Sequence, residues 1–167
     1  LIHLVKFPVG AGNVSNDLAI GLKIPVPAAE ELKLNYGYAL AKDVGHKESV
    51  DLRKFHPDSR GTVSRRFIAE IIESRLAEIF ELVNNELKLL GKRGQLPGGA
   101  VLVGGGAKLP GLTELVRQEL KLSTQIGLSS GEDWENGAGE FSQFVEDPEY
   151  VSAFGLAAWG AGDCGWK

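Results

Sequence analysis

Residues 100–112, "AVLVGGGAKLPGL", place three consecutive glycines directly after an apolar run. The apolar run predicts a buried strand, and the segment that begins at Pro110 predicts a helix. Gly104, Gly105 and Gly106 have no Cβ, so the backbone can bend there and another molecule can approach it closely. From the residues alone, a turn needed only for packing and a surface for a flat ligand, such as a nucleotide base, are both open interpretations.

Strand-like and helix-like segments alternate along the rest of the chain. The predicted strands are "LIHLVKFPV", which ends in the turn "GAGN", "ESVDLRKF", "GGAVLV" and "STQIGL". The predicted helices are "VSNDLAIGL" with Ser15 or Asn16 as its cap, "PAAEELKLNYG", residues 64–90 closed by Gly91, "PGLTELVRQEL", and "DPEYVSAFGLAAWG" with Pro148 in its first turn. This alternation predicts an α/β fold. The proline-flanked block at residues 25–66 is interpreted as an inserted small α+β subdomain, which leaves residues 1–24 and 67–167 as a larger subdomain.

Composition limits the classes of partner. The 167 residues are enough for a real core, and a net charge of −4 does not favour nucleic acid. Cys164 is the single cysteine, so no disulfide can form within the chain, which fits a reducing compartment. No apolar stretch is long enough to span a bilayer, and the three histidines lack the spacing of a zinc site. The acid-rich residues 129–149 are expected to form a solvated loop.

The predicted helix over residues 64–90 carries one apolar stripe. Its members are Ile68, Ile71, Ile72, Ile79, Leu82 and Val83. Arg75 falls inside this stripe rather than opposite it. A charge in that position needs an oppositely charged partner or contact with solvent. An internal ion pair is the favoured interpretation, and a protein-binding surface is the alternative.

Glu30 and Lys33 lie three residues apart and therefore share one face of the second predicted helix. Such a pair is most often a solvated surface ion pair. The alternative is that it offers an acceptor and a cation to a ribose or a base.

Four segments, taken in order, carry a family resemblance. They are "FPVGAGNVSNDLAIGLKIPVPAAEELKLNYGYAL", "VSRRFIAEIIESRLAEIFELV", "GGAVLVGGGAKLPGL" and "DPEYVSAFGLAAWG". Together they resemble the C-terminal half of the bacterial FtsA cell-division family, which has the actin/Hsp70-like (ribonuclease H-like) ATPase fold. The resemblance implies that this chain is the second lobe of that fold, in a cytoplasmic protein at the inner face of the cell membrane at the division site.

The resemblance also implies a nucleotide site, with ATP and Mg²⁺ as the cofactor of the whole protein. The implied nucleotide-binding residues are Gly104, Gly105, Gly106, Ala107 and Lys108 in the adenosine loop, Glu30 and Lys33 in an "AE-x-x-K" helix, and Gly10 and Gly12 after the second phosphate hairpin. Where the family usually has Gly-Gly and then Thr, this chain has Gly10-Ala11 and Ser15. The phosphate loops and catalytic residues are expected upstream of Leu1, so the chain by itself is expected to lack ATPase activity.

The partners implied by the resemblance are the FtsZ C-terminal tail, further copies of the protein in a filament, and membrane through a C-terminal helix that is expected to be absent here. A site for an acidic and apolar tail needs cations beside apolar surface. The expected partner residues are Arg65, Arg66, Ile68, Ile71, Ile72 and Arg75. The alternatives are a lobe of a pilus-assembly (PilM-like) adaptor or of a sugar kinase, but "SRRFIAEIIESRLAEI" and "NDLAIGL" favour FtsA over the pilus type.

Overall fold

The computed structural model of the chain describes residues 2–59, 61–129 and 142–163. Its helices are α1 (Ala11–Leu22), α2 (Val26–Tyr36), α3 (Arg65–Leu89), α4 (Leu112–Leu120), α5 (Ser142–Val145) and α6 (Val151–Asp163). Its strands are β1 (Ser49–Asp51), β2 (Thr62–Ser64), β3 (Ala100–Leu102) and β4 (Thr124–Ile126). Strands β1 and β2 pair antiparallel, whereas β3 and β4 pair in parallel. The predicted α/β class is thereby confirmed.

Helices α1 to α4 share one hydrophobic core. Each contributes a side chain that is almost wholly removed from water: Leu18, Leu32, Ile72 and Leu115. Burying one such side chain contributes about 1.5–3 kcal/mol. Residues of the 25–66 block, Val50 among them, belong to the same core cluster. The division of the chain into a larger and an inserted subdomain stays a prediction.

Local sequence signals place the ends of α2 and α3 as predicted. Pro27 lies in the first turn of α2, and the N–H of Gly37 donates to the carbonyl of Lys33 (2.9 Å) at its end. After α3, Gly91 adopts a positive φ of 65°, which glycine accepts without strain. Its N–H donates to the carbonyl of Lys88 (2.9 Å).

The predicted strand at residues 1–9 is not formed. Residues 2–9 are outside any strand, and Ile2 and Leu4 are exposed. A strand requires the hydrogen bonds of a neighbouring strand, and no described segment pairs with these residues.

The prediction for the start of α1 is also wrong. The helix begins at Ala11 because Gly10 donates its N–H to Asn13 Oδ1 (2.9 Å) and accepts from the Asn13 N–H (3.0 Å). The residues expected to form a turn therefore form the cap and first turn, and Ser15 lies inside the helix.

Other segments differ from the expectation in extent. Strand β3 is exposed on one side, where Val101 is 54% exposed, rather than buried on both. Pro148 precedes α6 and is buried, so it does not lie in the first turn. Most of the expected acidic loop, residues 130–141, lies outside the described residues. Within the described ranges, no helix is both long and apolar enough to cross a membrane.

Candidate functional site

The glycine turn, residues 104–106, follows the C-terminal end of the parallel strand β3. Gly104 has φ +93°, a conformation that L side chains rarely adopt, and a 3₁₀ turn covers Gly105–Lys108. A Cβ added to Gly104 would meet nothing within 4 Å, and Gly105 is exposed. The turn is therefore open, at the end of a parallel strand where ligands of α/β sheets bind.

The first turn of α1 lies directly against the glycine turn. A Cβ built on Gly106 would lie 3.1 Å from the Cβ of Ala11. Beside this contact, Cβ atoms added to Gly10 and Gly12 would meet open space. Two of the predicted segments, about ninety positions apart in the chain, are thus brought together with room beside them.

Helix α2 joins the same place through Lys33. Its Nζ donates to the carbonyl of Ala11 (3.3 Å), to Ser15 Oγ (2.9 Å) and to Glu30 Oε2 (2.7 Å). The Ser15 hydroxyl donates to the same Glu30 oxygen. These contacts tie the predicted pair on α2 to the start of α1, and we call Ser15, Glu30 and Lys33 the polar cluster.

Within the polar cluster, the two predicted residues have different accessibility. Lys33 is 9% exposed, and its three donors match the three acceptors around it, so its role is to hold α1 and α2 together. The side chain of Glu30 is 43% exposed and is the member that a ligand can reach. The charge of Lys33 is satisfied inside the protein by these contacts, and its assignment to the nucleotide site stays a prediction.

The ionisation of Glu30 follows from the same contacts. Partial burial raises the pKa of the Glu30 carboxyl, but hydrogen bonds from Lys33 and Ser15 and the charge of Lys33 outweigh it. The net effect holds the pKa of Glu30 below its usual range, so the site keeps a carboxylate acceptor at neutral pH.

Ala107 and Lys108 follow the glycine turn, and their assignment to the nucleotide site stays a prediction. Ala107 is buried, so only its backbone lies at the turn. The Nζ of Lys108 lies 2.7 Å from Asp147 Oδ2 and 2.8 Å from Glu149 Oε2. These two carboxylates hold the Lys108 amine.

Arg75 lies in a surface groove between α1 and α3. The groove has a volume of about 380 Å³ and is lined by Asp17, Phe67, Glu70, Ile71, Ser74, Arg75 and Glu78. Arg75 Nη2 donates to Asp17 Oδ1 (2.9 Å) and Nη1 donates to Glu78 Oε2 (2.7 Å). The favoured interpretation of Arg75 as an ion-pair residue is confirmed.

Two of the expected partner residues cannot contact a partner in this fold. Ile68 and Ile72 have no exposed surface, because this part of the apolar stripe of α3 faces the core, whereas Leu82 of the same stripe is 39% exposed. Arg65 contacts Glu48 (2.6 Å), and Arg66 contacts Glu70 (3.4 Å). Ile71 is half-buried in the groove, next to the exposed Phe67.

Sequence reasoning also missed the contact between the glycine turn and residues 147–149. The N–H of Gly104 donates to the carbonyl of Pro148 (2.7 Å), and Lys108 pairs with the acids on either side of that proline. No local pattern indicates such a contact, since about forty residues separate the two segments.

Known proteins of one family are similar to this chain. The model of the family described as "Cell division protein FtsA" matches residues 1–155. This chain belongs to the FtsA family. The proteins named Cell division protein FtsA from Pseudomonas aeruginosa and Bacillus subtilis (strain 168) are 31% and 32% identical to it over 158 and 149 residues. The FtsA protein of Escherichia coli (strain K12) is 30% identical over 167 residues.

The chain is similar to only part of each FtsA relative. The three alignments cover 95%, 89% and 96% of this chain but 36%, 31% and 38% of the relatives' length. The FtsA match favours the cell-division interpretation over the pilus-assembly and sugar-kinase alternatives. Among the residues that the structure describes, no group of three or more His, Cys, Asp or Glu side chains could hold a metal ion.

Proposed function

We propose that this chain is the second lobe of an actin-like, ATP-binding cell-division protein and that its glycine turn faces the adenosine of ATP. The proposal rests mainly on the observation that the glycine turn, the start of α1 and the polar cluster lie together. Gly106 lies against Ala11, and Lys33 donates a hydrogen bond to the Ala11 carbonyl (3.3 Å). Family membership supports the proposal, because the resemblance assigns the glycine turn and the Glu30–Lys33 helix to the nucleoside and the start of α1 to the segment after the second phosphate hairpin. In this proposal, residues 25–66 form the inserted subdomain and carry the acidic member of the site, Glu30.

The residues present fit a nucleoside. The open backbone at Gly104 and Gly105 accepts a flat ring without a clash with a Cβ. The Glu30 carboxylate can accept hydrogen bonds from ribose hydroxyls. The N-terminus of α1, with open space at Gly10 and Gly12, presents the positive end of a helix dipole towards phosphate. Bound ATP with Mg²⁺ would supply the phosphate chemistry, and this lobe would bind and orient the nucleoside.

The test is ADP binding to the 167-residue chain, measured by titration calorimetry up to millimolar ADP. Gly105→Val adds bulk on the open side of the turn, where a Cβ meets only the Glu149 side chain, at 3.6 Å or more, so the fold should tolerate it. Gly98→Val is the matched control, because Gly98 is equally open but lies outside the site. We expect weak binding by the parent chain and by Gly98→Val, and loss of binding in Gly105→Val. Equal affinity in all three would contradict the adenosine assignment.

We further propose that the groove between α1 and α3 receives the apolar part of the FtsZ tail. The observation that favours this groove is the exposed Phe67 (44%), which lies one helical turn before Ile71 and directly after Arg66. Two carboxylates hold Arg75, whereas Arg65 and Arg66 each pair with one carboxylate that is about half exposed, Glu48 (48%) and Glu70 (52%). The acids of the tail would replace these two partners at the start of α3. Tethering of FtsZ filaments to the membrane and polymerisation belong to the whole protein in this proposal.

The tail site is tested by fluorescence anisotropy with a labelled FtsZ tail peptide. Phe67→Ala should weaken binding, and raised salt should weaken it further through the two arginines. Ile20→Ala is the control, because Ile20 is an exposed apolar residue (76%) of α1 outside the groove lining. Unchanged affinity in Phe67→Ala would place the tail elsewhere.

A further inference from the structure

The backbone of the glycine turn is held from outside by the segment that precedes α6. The Gly104 N–H donates to the Pro148 carbonyl (2.7 Å), and Pro148 itself is buried. Gly104 is the residue with the positive φ, so this bond acts at the point where the turn departs from ordinary strand geometry. The shape of the turn therefore depends on a segment about forty residues later in the chain.

Side chains reinforce that backbone contact. Lys108 ends the 3₁₀ turn after the glycines, and its Nζ lies within 2.8 Å of both Asp147 and Glu149. The other oxygen of Asp147, Oδ1, accepts the N–H of Glu149 (2.9 Å). Asp147 thus shapes its own turn with one oxygen and holds Lys108 with the other.

The charges of Lys108 and Asp147 favour the contact between the glycine turn and residues 147–149. Hydrogen bonds from Lys108, and then from the Glu149 N–H, hold the pKa of Asp147 below its usual range. Hydrogen bonds to Asp147 and Glu149 raise the pKa of Lys108. Asp147 and Lys108 are therefore both charged at neutral pH. Glu149 also borders the turn, with its carboxyl carbon 3.6 Å from the position of a Cβ on Gly105.

We propose that Asp147 is a positioning residue that holds the glycine turn in its ligand-binding shape through Lys108 and the adjoining Gly104–Pro148 hydrogen bond. We call Lys108, Asp147 and Glu149 the latch. The proposal rests on the proposed nucleotide function, which it deepens by giving Lys108 an indirect role. When the ion pairs of the latch break, the glycine turn can change its shape. The Glu149 carboxylate, which lies beside the turn, then shifts as well.

An ordinary surface ion pair would leave the turn unchanged when it is removed, because exposed pairs contribute little on their own. The latch differs because its acids flank the residue that bonds to Gly104. The discriminating readout is therefore local: the exchange rate of the Gly104 amide, measured by NMR on the 167-residue chain.

Asp147→Asn keeps an oxygen for the Glu149 N–H and removes the charge that holds Lys108. We expect it to speed Gly104 amide exchange roughly two- to fivefold, the scale of one exposed charge pair. Lys108→Arg should exchange like the parent chain. Asp51→Asn is the matched control, because Asp51 also pairs with a cation (Arg53 Nη2–Oδ2, 2.7 Å) and accepts a backbone N–H.

The core amide of Val116 in α4 should be unaffected in all three variants, since it lies outside the latch. Unchanged Gly104 exchange in Asp147→Asn, or an equal rise at Val116, would overturn the proposal.

ADP titration of the same variants separates this proposal from the nucleotide function. Faster Gly104 exchange together with weaker ADP binding in Asp147→Asn supports both. Faster exchange with undiminished ADP affinity overturns the latch as a positioning device. If the parent chain binds no ADP but Gly104 exchange still rises in Asp147→Asn, the proposed nucleotide function of this chain is contradicted. The proposal that the latch holds the glycine turn is then still supported.

Discussion

Arg75 of α3 reaches across to Asp17 of α1, with Nη2 2.9 Å from Oδ1. A second guanidinium nitrogen, Nε, contacts Asp17 Oδ2 at 2.5 Å, so the contact is the two-pronged one that arginine forms with carboxylates. The side chains are 30% and 25% exposed, at the edge of the groove rather than in open water. The charge that interrupts the apolar stripe of α3 therefore links two helices.

Arg75→Glu should lower the melting temperature of the chain. The new carboxylate would face Asp17 and Glu78, so an attraction becomes a repulsion at the α1–α3 contact. We expect a decrease of roughly 2–4 °C, measured by circular dichroism. The double variant Asp17→Arg/Arg75→Glu should recover part of the loss. A melting temperature equal to that of the parent chain would show that the ion pair does not support the fold.

Ile72→Ala should cost about 2–5 kcal/mol of unfolding free energy. Ile72 has no exposed surface and lies in the core cluster, so its truncation leaves a cavity. Urea denaturation followed by circular dichroism measures the change. Ile20→Ala removes the same atoms from an exposed site (76%) and should stay within about 0.5 kcal/mol of the parent. Equal costs for the two variants would contradict the assignment of the core.

The polar cluster should make stability depend on pH through Glu30. Its folded-state pKa is lowered, so ionised Glu30 stabilises the folded chain above the unfolded-state pKa, and this stability is lost as the pH falls through the folded-state value. Glu30→Gln should therefore be less stable than the parent at pH 7, and the difference should shrink below about pH 4. Urea denaturation at several pH values measures it. A difference that is constant from pH 7 to pH 3 would contradict the lowered pKa.

The 167-residue chain should hydrolyse no ATP. Phosphoryl transfer depends on positioning of the phosphates, the metal and the attacking water, and the resemblance places those residues outside this part of the protein. A coupled phosphate-release assay compares the chain with a buffer blank and with Gly105→Val. Turnover that exceeds the blank and is lost in the variant would show that this chain carries catalytic residues of its own.

Helix ends and the glycine turn could be read from the sequence because their signals are local. Pro27, Gly37 and Gly91 restrict or relax backbone angles within a residue or two of the boundary that each one marks. The start of α1 was misplaced because two bonds between Gly10 and Asn13 formed an earlier cap than the one expected at Ser15. The prediction of a strand at residues 1–9 was wrong because a strand needs the hydrogen bonds of a neighbouring strand. The pattern of residues in the segment does not show whether such a neighbour exists.

The sequence by itself determined the α/β class, the apolar stripe of α3 and the glycine turn after β3, since periodicity and backbone freedom act over a few residues. Only the tertiary structure decided which charges meet. Arg75 and Asp17 are 58 positions apart, Lys108 and Asp147 are 39 apart, and Lys33 and Ala11 are 22 apart. Packing of α1, α2 and α3 brings Arg75 and Lys33 to their partners, and the contact of residues 147–149 with the glycine turn brings Asp147 to Lys108. A charge that is removed from water is stable only beside a partner, and these partners come from distant parts of the chain.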